Sequence, residues 1–342
     1  MKKIIALLIA VFLCGCADTS TETVNIMEET QITLTYAGDC TLGTDVSFGG
    51  ITLSVEVENQ NKDYSYFFKN VQPYFETDDL TIVNFEGTLT DRGVREQKTF
   101  AFRGNPQYTE ILKQGSVEAV TLANNHSRDY GEISLSDTRT YLENAGIVWF
   151  ENLNTRIVDV KGVKVGLIGL YALNGSAEGN LPKAMEQVKD AQLKIVEIHW
   201  GIEGQNYPTA DQISLAHKAI DLGADAVIGH HPHVLQGIER YKDKLIAYSM
   251  GNFCFGGNQN PRDKDTMLIS QTFTFKNGSL TGEDYKVVPC SISSVNTRNN
   301  YQPTPAEGDE KTRITEKIKR FSESLSDEEI KFDGEDSEKL VL

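Results

Sequence analysis

Short, nearly continuous apolar runs punctuate the chain at residues 32–37, 80–83, 119–122, 163–170, 193–198, 226–228 and 245–248. Their length and lack of polar alternation predict strands covered on both faces, as in parallel sheets sandwiched by helices. Between them, apolar residues recur at helical spacing over 64–75, 106–114, 133–145, 182–191 and 209–222. Thr209 is placed to cap the last of these, and Gly223 to stop it; Gly146 ends the helix begun at 133 in the same way. Strands alternating with helices predict a layered α/β domain. Two later runs, 267–275 and 285–288, have no helix between them and predict a hairpin turning at Lys276-Asn277-Gly278.

The two ends of the chain read differently. Lys2 and Lys3 precede an apolar stretch over 4–13 that closes on Leu13-Cys14-Gly15-Cys16. A basic start, a short apolar segment and a small residue before cysteine predict a lipoprotein signal peptide over 1–16. Cys16 is then the lipidated residue that holds the protein at the outer, extracytoplasmic face of a bacterial membrane. Residues 17–30, rich in Thr and Glu, read as a linker, and residues 31–295 as the folded domain. Residues 296–342 read as an acidic tail, with a surface helix over 312–325 and a mobile charge run after it.

Composition narrows the partners. The 342 residues are 39% hydrophobic and 24% charged, an ordinary globular balance. Forty-nine acidic residues against 33 basic ones give a net charge of −16, which argues against nucleic acid. An anionic partner would need a local cationic site, such as a bound metal. Cys40, Cys254 and Cys290 remain after processing; they are odd in number and lack metal-finger spacing, which predicts small buried residues rather than a disulfide framework.

The chemistry collects where the apolar runs stop. The runs lead in turn to Gly38-Asp39, to Asn84-Phe85-Glu86-Gly87, to Asn124-Asn125-His126, to His199-Trp200-Gly201, to Gly229-His230-His231-Pro232-His233 and to Ser249-Met250-Gly251-Asn252. Ligands of α/β folds bind at the carboxyl ends of strands, where loops converge. Five of the six histidines lie in these junctions; His217 falls inside a predicted helix. Imidazole, carboxylate and amide donors without thiolate suit a divalent Mn, Zn, Fe or Mg ion, one or two in number. A His231-x-His233 pair on extended backbone would put both rings on one side.

These blocks, taken in order, resemble the CapA family of bacterial capsule and poly-γ-glutamate synthesis proteins, within the calcineurin-like metallophosphatase superfamily. The resemblance implies a four-layer α/β sandwich, two mixed β-sheets flanked by helices, with metal at the sheet edge. It implies Asp39, Glu86 (or Asn84), Asn125, His199, His231 and His233 as metal ligands. His126 would serve the leaving group, with Asp129 orienting it. Asn84, His230, Glu203, Asn252 and Arg103 are candidates for contact with substrate or for support of the ligands, and Arg128 is a second candidate anion clamp. Where the superfamily has Asp-x-His this chain has Asp39-Cys40-Thr41, and where it has Gly-Asp-x-x-Asp this chain has Asn84-Phe85-Glu86. The functions implied are lipid-anchored synthesis or export of an anionic exopolymer, alongside membrane proteins of a synthase, or alternatively phosphoester hydrolysis in the cell envelope.

Overall fold

The computed structural model describes residues 29–334. The signal peptide, Cys16, the linker up to residue 28 and residues 335–342 lie outside the described residues. Two sheets face each other. The first runs, edge to edge, through Thr304–Pro305, Ser279–Ser291, Asp265–Lys276, Glu29–Thr41, Leu80–Phe85, Ala119–Thr121 and Val148–Phe150, with Asn252–Phe255 pairing parallel to the end of Glu29–Thr41. The second runs through Ile238–Tyr241, Lys244–Ala247, Ala226–His230, Leu193–His199, Val163–Tyr171 and Arg156–Val160.

The apolar runs explain this layering residue by residue. Side chains alternate across a strand, so Ile32, Leu34, Tyr36, Ile82, Leu167, Ile195 and Ile228 fill a core between the two sheets. Their neighbours Ala37, Val83 and Val120 face outward onto Ile111, Leu112, Leu135 and Leu142 of flanking helices. On the far side Ile168, Val196 and Val227 meet Leu181, Ala184, Ala216 and Ala219. Helices, sheet, sheet and helices make the four layers that the sequence implied.

Local signals hold where they are self-contained. Thr209 caps Ala210–Asp221 with a complete capping box to Gln212. The hairpin turns with Asn277 and Gly278 both at positive φ, 51° and 78°, as a two-residue loop requires. Three segments depart from expectation. Residues 64–75 break into a 3-10 turn, Tyr64–Phe67, and a short helix, Gln72–Phe75, because Pro73 restarts the winding. The helix expected from 182 begins five residues earlier as Ala177–Gln187, with Pro182 inside it. Packing of Ala177, Leu181 and Ala184 on the second sheet outweighs the hydrogen bond the proline lacks.

The third departure is the C-terminal region. Instead of lying on the surface, Gly308–Ser322 inserts Ile314 and Ile318 into the inter-sheet core, and Ile330 and Phe332 follow them. The expected mobile run is therefore packed at least as far as Phe332, which bridges to Val287. Apolar spacing of four residues gives this segment a buried face despite its charge. At the other end, the first sheet's long strand begins at Glu29, two residues inside the expected linker.

Candidate metal centre at the strand ends

Strand register assembles the site. Asp39 pairs with Asn84 on one side and Asn252 on the other, and Asn84 pairs with Thr121. In the second sheet His199 and His230 are direct neighbours. Two glycines permit the close approach: a Cβ on Gly38 would sit 2.1 Å from the Gly251 carbonyl oxygen, and one on Gly229 would sit 2.0 Å from that of Tyr248. Trp200 fills the core behind, donating to the Tyr248 carbonyl at 2.8 Å.

Glu86 is the focus. It is fully buried, and neither carboxylate oxygen has a hydrogen-bond partner. Its Oε1 lies 3.8 Å from His126 Nε2, 3.9 Å from His199 Nε2 and 3.8 Å from His233 Nε2. Glu86, His231 and His233 offer donor atoms all within 4.8 Å of one another, a spacing that one ion can span. His231 Nδ1 is likewise buried without a partner. A buried carboxylate left without partners costs free energy unless something charged completes it. A divalent cation would do so: the imidazole and carboxylate donors fit the expected ion, and no described thiol joins them.

The backbone under the histidine pair is not extended. His231 has φ of 97° and His233 of 58°, so the expected same-side alternation does not apply. Both residues sit in strained left-handed conformations, and the turn they make brings their rings to 5.8 Å, centroid to centroid. His233 is held by its other nitrogen, Nδ1, 2.9 Å from Asn252 Oδ1 and 3.1 Å from Asp39 Oδ2. That contact assigns the proton to Nδ1 and leaves Nε2 turned toward Glu86.

Asp39 anchors a second, better satisfied corner. Asn84 donates to its Oδ1 at 2.8 Å, and His230 Nδ1 faces the same oxygen at 3.3 Å. His230 Nε2 faces Glu197 Oε2 at 3.3 Å, so one imidazole bridges carboxylates of the two sheets. Glu197 is the one acid in the strand Leu193–His199, buried where its neighbours Val196 and Ile198 are apolar, and that was its sequence signal. His199 Nε2 lies 2.8 Å from Asn125 Oδ1, which brings the amide candidate into the same cluster.

The charges follow from burial and pairing. Burial pushes Glu86 up to about 8, against the pull of His233. Burial would likewise raise Asp39, but hydrogen bonds from His230 and His233 hold it well below the carboxylate range. His233 is raised to about 10 and His230 to about 9, since facing carboxylates overcome the burial that alone would lower them. Burial, reinforced by the charge on His233, drops His231 to about 4.

His126 stands at the edge of the cluster. Its Nδ1 is 2.6 Å from Asp129 Oδ2, the pairing expected of an orienting carboxylate. Asn124, which accepts from the His126 backbone N–H and donates to Asn84 Oδ1, both at 3.0 Å, locks the turn. Lys98, not anticipated from sequence, donates to Asp129 Oδ1 and to the Asn125 carbonyl, both at 2.8 Å. Nothing in its polar loop marks it. Arg103 does not join the site: its guanidinium stacks 4.1 Å over the Tyr130 ring, because alternation along its short strand turns it away from Phe102. Arg128 is spent on Glu132 at 2.6 Å. Glu203 lines the cleft outside the cluster, exposed. His217 sits apart, 2.8 Å from Glu239. Cys40, Cys254 and Cys290, the cysteines among the described residues, are buried and free.

Fold and site together define a class: a two-sheet α/β sandwich that gathers histidines and carboxylates at the carboxyl ends of its strands. Residues 33–257 match the family described as bacterial capsule synthesis protein PGA_cap, and the chain belongs to that family. It is 30% identical to PGA biosynthesis protein CapA of Bacillus subtilis (strain 168), over 91% of this chain and 87% of that protein. It is 32% identical to Capsule biosynthesis protein CapA of Bacillus anthracis, over 71% of this chain and 64% of that protein. Among solved structures, TT1561 of Thermus thermophilus is similar at 13% identity with a TM-score of 0.42, over 70% of this chain and 94% of that one.

Proposed function

We propose that this chain serves capsule or poly-γ-glutamate synthesis in the bacterial envelope through a divalent-metal centre built on Glu86, His231 and His233. The observation that carries the reading is Glu86: a carboxylate buried without a hydrogen-bond partner, one oxygen facing three imidazole Nε2 atoms at 3.8–3.9 Å. His199 and Asn125 stand ready beside these three. A bound Mn, Zn, Fe or Mg ion, or a pair, supplies positive charge for an anionic polymer and Lewis acidity toward a phosphoryl group. The chain's own groups do the rest. Asp39 and Asn252 fix the His233 ring, and Asp129 holds the proton on His126 Nδ1. In this reading Cys16 is lipidated and tethers the domain at the outer face of the membrane, within reach of the membrane proteins of an exopolymer synthase.

Metal content per chain, after purification without chelator and reloading with Mn, tests the centre; at least one ion is expected. Wild-type protein that holds none at saturating Mn sinks it. Polymer yield in a deletion strain tests the role: yield should fall, and His231→Ala should fail to restore it. Normal polymer without the protein overturns the assignment.

The His126–Asp129–Lys98 arrangement favours a second reading, hydrolysis of a phosphoester in the envelope. It predicts Mn-dependent turnover of bis-p-nitrophenyl phosphate that His126→Ala removes. Absence of turnover with all four metals excludes it.

A further inference from the structure

A cavity of about 980 Å³ opens directly beside His126, His233 and Asn252. One side of its wall is aromatic. Phe102 packs against the His126 ring at 4.4 Å between centroids, Phe100 stacks on Phe102 at 6.3 Å, and Phe48 tilts against Phe100 at 5.6 Å. These rings form one strip from the candidate metal centre to the surface, where Phe100 is 45% exposed.

The strip is held in place before any ligand arrives. Phe48 and Phe100 lie on different loops, and buried Asp45 ties the loops together. It accepts from Ser47 N at 2.8 Å, from Ala101 N at 2.7 Å and from Arg95 Nη2 at 2.6 Å. Such preorganisation lowers the ordering cost of binding.

The charges of the cleft are as informative as its rings. Arg262 is its one lining Lys or Arg, against Glu203 and Asp263. A polyanion laid along this groove would bring a carboxylate at every residue and find no matching row of cations. An apolar chain or ring laid there would cover the phenylalanines and leave its anionic end at the metal centre.

We propose that the cleft binds a phosphoester whose alcohol is apolar, with the phosphate at the Glu86–His231–His233 centre and the alcohol along Phe102, Phe100 and Phe48. This rests on the phosphoester reading above and adds a substrate class to it. A prenyl chain and an aromatic ring share the required chemistry.

Binding to Mn-loaded protein, by titration calorimetry, separates the alternatives with inorganic phosphate, phenyl phosphate and farnesyl phosphate, the last kept below its aggregation concentration. Farnesyl phosphate should bind about tenfold or more tighter than inorganic phosphate, and Phe100→Ala should remove most of that gain. Inorganic phosphate should bind the variant as it binds the wild type. Phe48→Ala serves as an independent second variant. If phenyl phosphate captures the whole gain, the alcohol is a ring; if only farnesyl phosphate does, it is a chain. Equal affinity for all three probes overturns the inference and leaves the metal reading standing. Farnesyl phosphate bound in a Phe100-dependent way without any inorganic phosphate binding keeps the cleft and removes the phosphoryl site. No binding of any probe removes both.

Discussion

Two buried acids in this protein sit in opposite circumstances. Asp265, 5% exposed, is gripped by Arg313 at 2.6 Å from both of its terminal nitrogens and by Lys317 at 2.8 Å. Glu86, 0% exposed, has histidines around it but no hydrogen bond to either carboxylate oxygen. The first arrangement is finished: its cations come from Gly308–Ser322 and fasten that helix to the first sheet. The second has no such partners: Glu86 Oε1 faces three imidazole Nε2 atoms at 3.8–3.9 Å without a hydrogen bond. A satisfied buried carboxylate marks architecture, and an unsatisfied one facing several imidazoles marks a ligand.

Substitution can break this contrast. Glu86→Gln should weaken Mn retention by more than about 100-fold, beyond what loss of a supporting residue costs, as measured by metal content after dialysis. The metal-free variant should melt close to wild type, because the substitution removes no hydrogen bond from that carboxylate and only loose ion pairing with the histidines 3.8–3.9 Å away. A large drop in its melting temperature would make Glu86 a structural residue like Asp265.

Asp265→Ala should do the reverse. Stability should fall by about 1.5–3 kcal/mol in urea unfolding, from losing the charge-assisted hydrogen bonds that half-exposed Arg313 and mostly buried Lys317 make to this carboxylate, while metal stoichiometry stays at the wild-type value. Loss of metal here would mean that the two regions are coupled through the sheet.

Glu197→Gln sharpens the comparison, since Glu197 reaches the centre only through His230 and Asp39. Mn affinity should drop roughly 10- to 100-fold, the usual effect of removing a residue behind a ligand. The metal-free melting temperature should move little, and Glu197→Asp should restore part of the affinity. Unchanged affinity would confine the triad to packing.

The smallest effect is in pH. Glu86 holds its proton up to about 8 in the folded protein but only to about 4.5 when unfolded. The stability it lends to metal-free protein is therefore complete below 4.5 and disappears as pH rises through 8. Asp265 runs the other way: burial would raise it, but Arg313 and Lys317 hold it below its usual value, so its contribution is lost only as pH falls through the acid range. Metal-free wild type should lose on the order of a few degrees between about pH 5 and 8, and Glu86→Gln should show a flatter profile across that range. Identical profiles would contradict the assignment.

Much of this was legible in the chain. Short apolar runs such as 226–228, bounded by turn residues, predicted strands covered on both faces, and the polar junctions after the runs named nearly every residue of the cluster. Thr209, Asn277 and Gly278 declared their cap and turn because those signals act over a few residues. Arg103 was misplaced because one-residue alternation decides which way a side chain on a two-residue strand faces. The C-terminal helix was set outside the domain because its charge concealed a narrow apolar face, Ile314 and Ile318, whose partners lie in strands far back in the sequence.

The sequence by itself determined the layered α/β architecture and the identity of the donors, since both follow from periodicity and from where apolar runs end. Only the tertiary structure decided that Glu86 would be left without a partner while Asp39 was fully engaged. It also decided that His231 and His233 would meet across a left-handed turn, and that Lys98 and Glu197 would stand behind the centre. Those outcomes depend on distances between segments far apart in the chain, such as Asp39 and His231, which are 192 residues apart. Local pattern carries no information about them, because a buried group's energy is set by what packs against it.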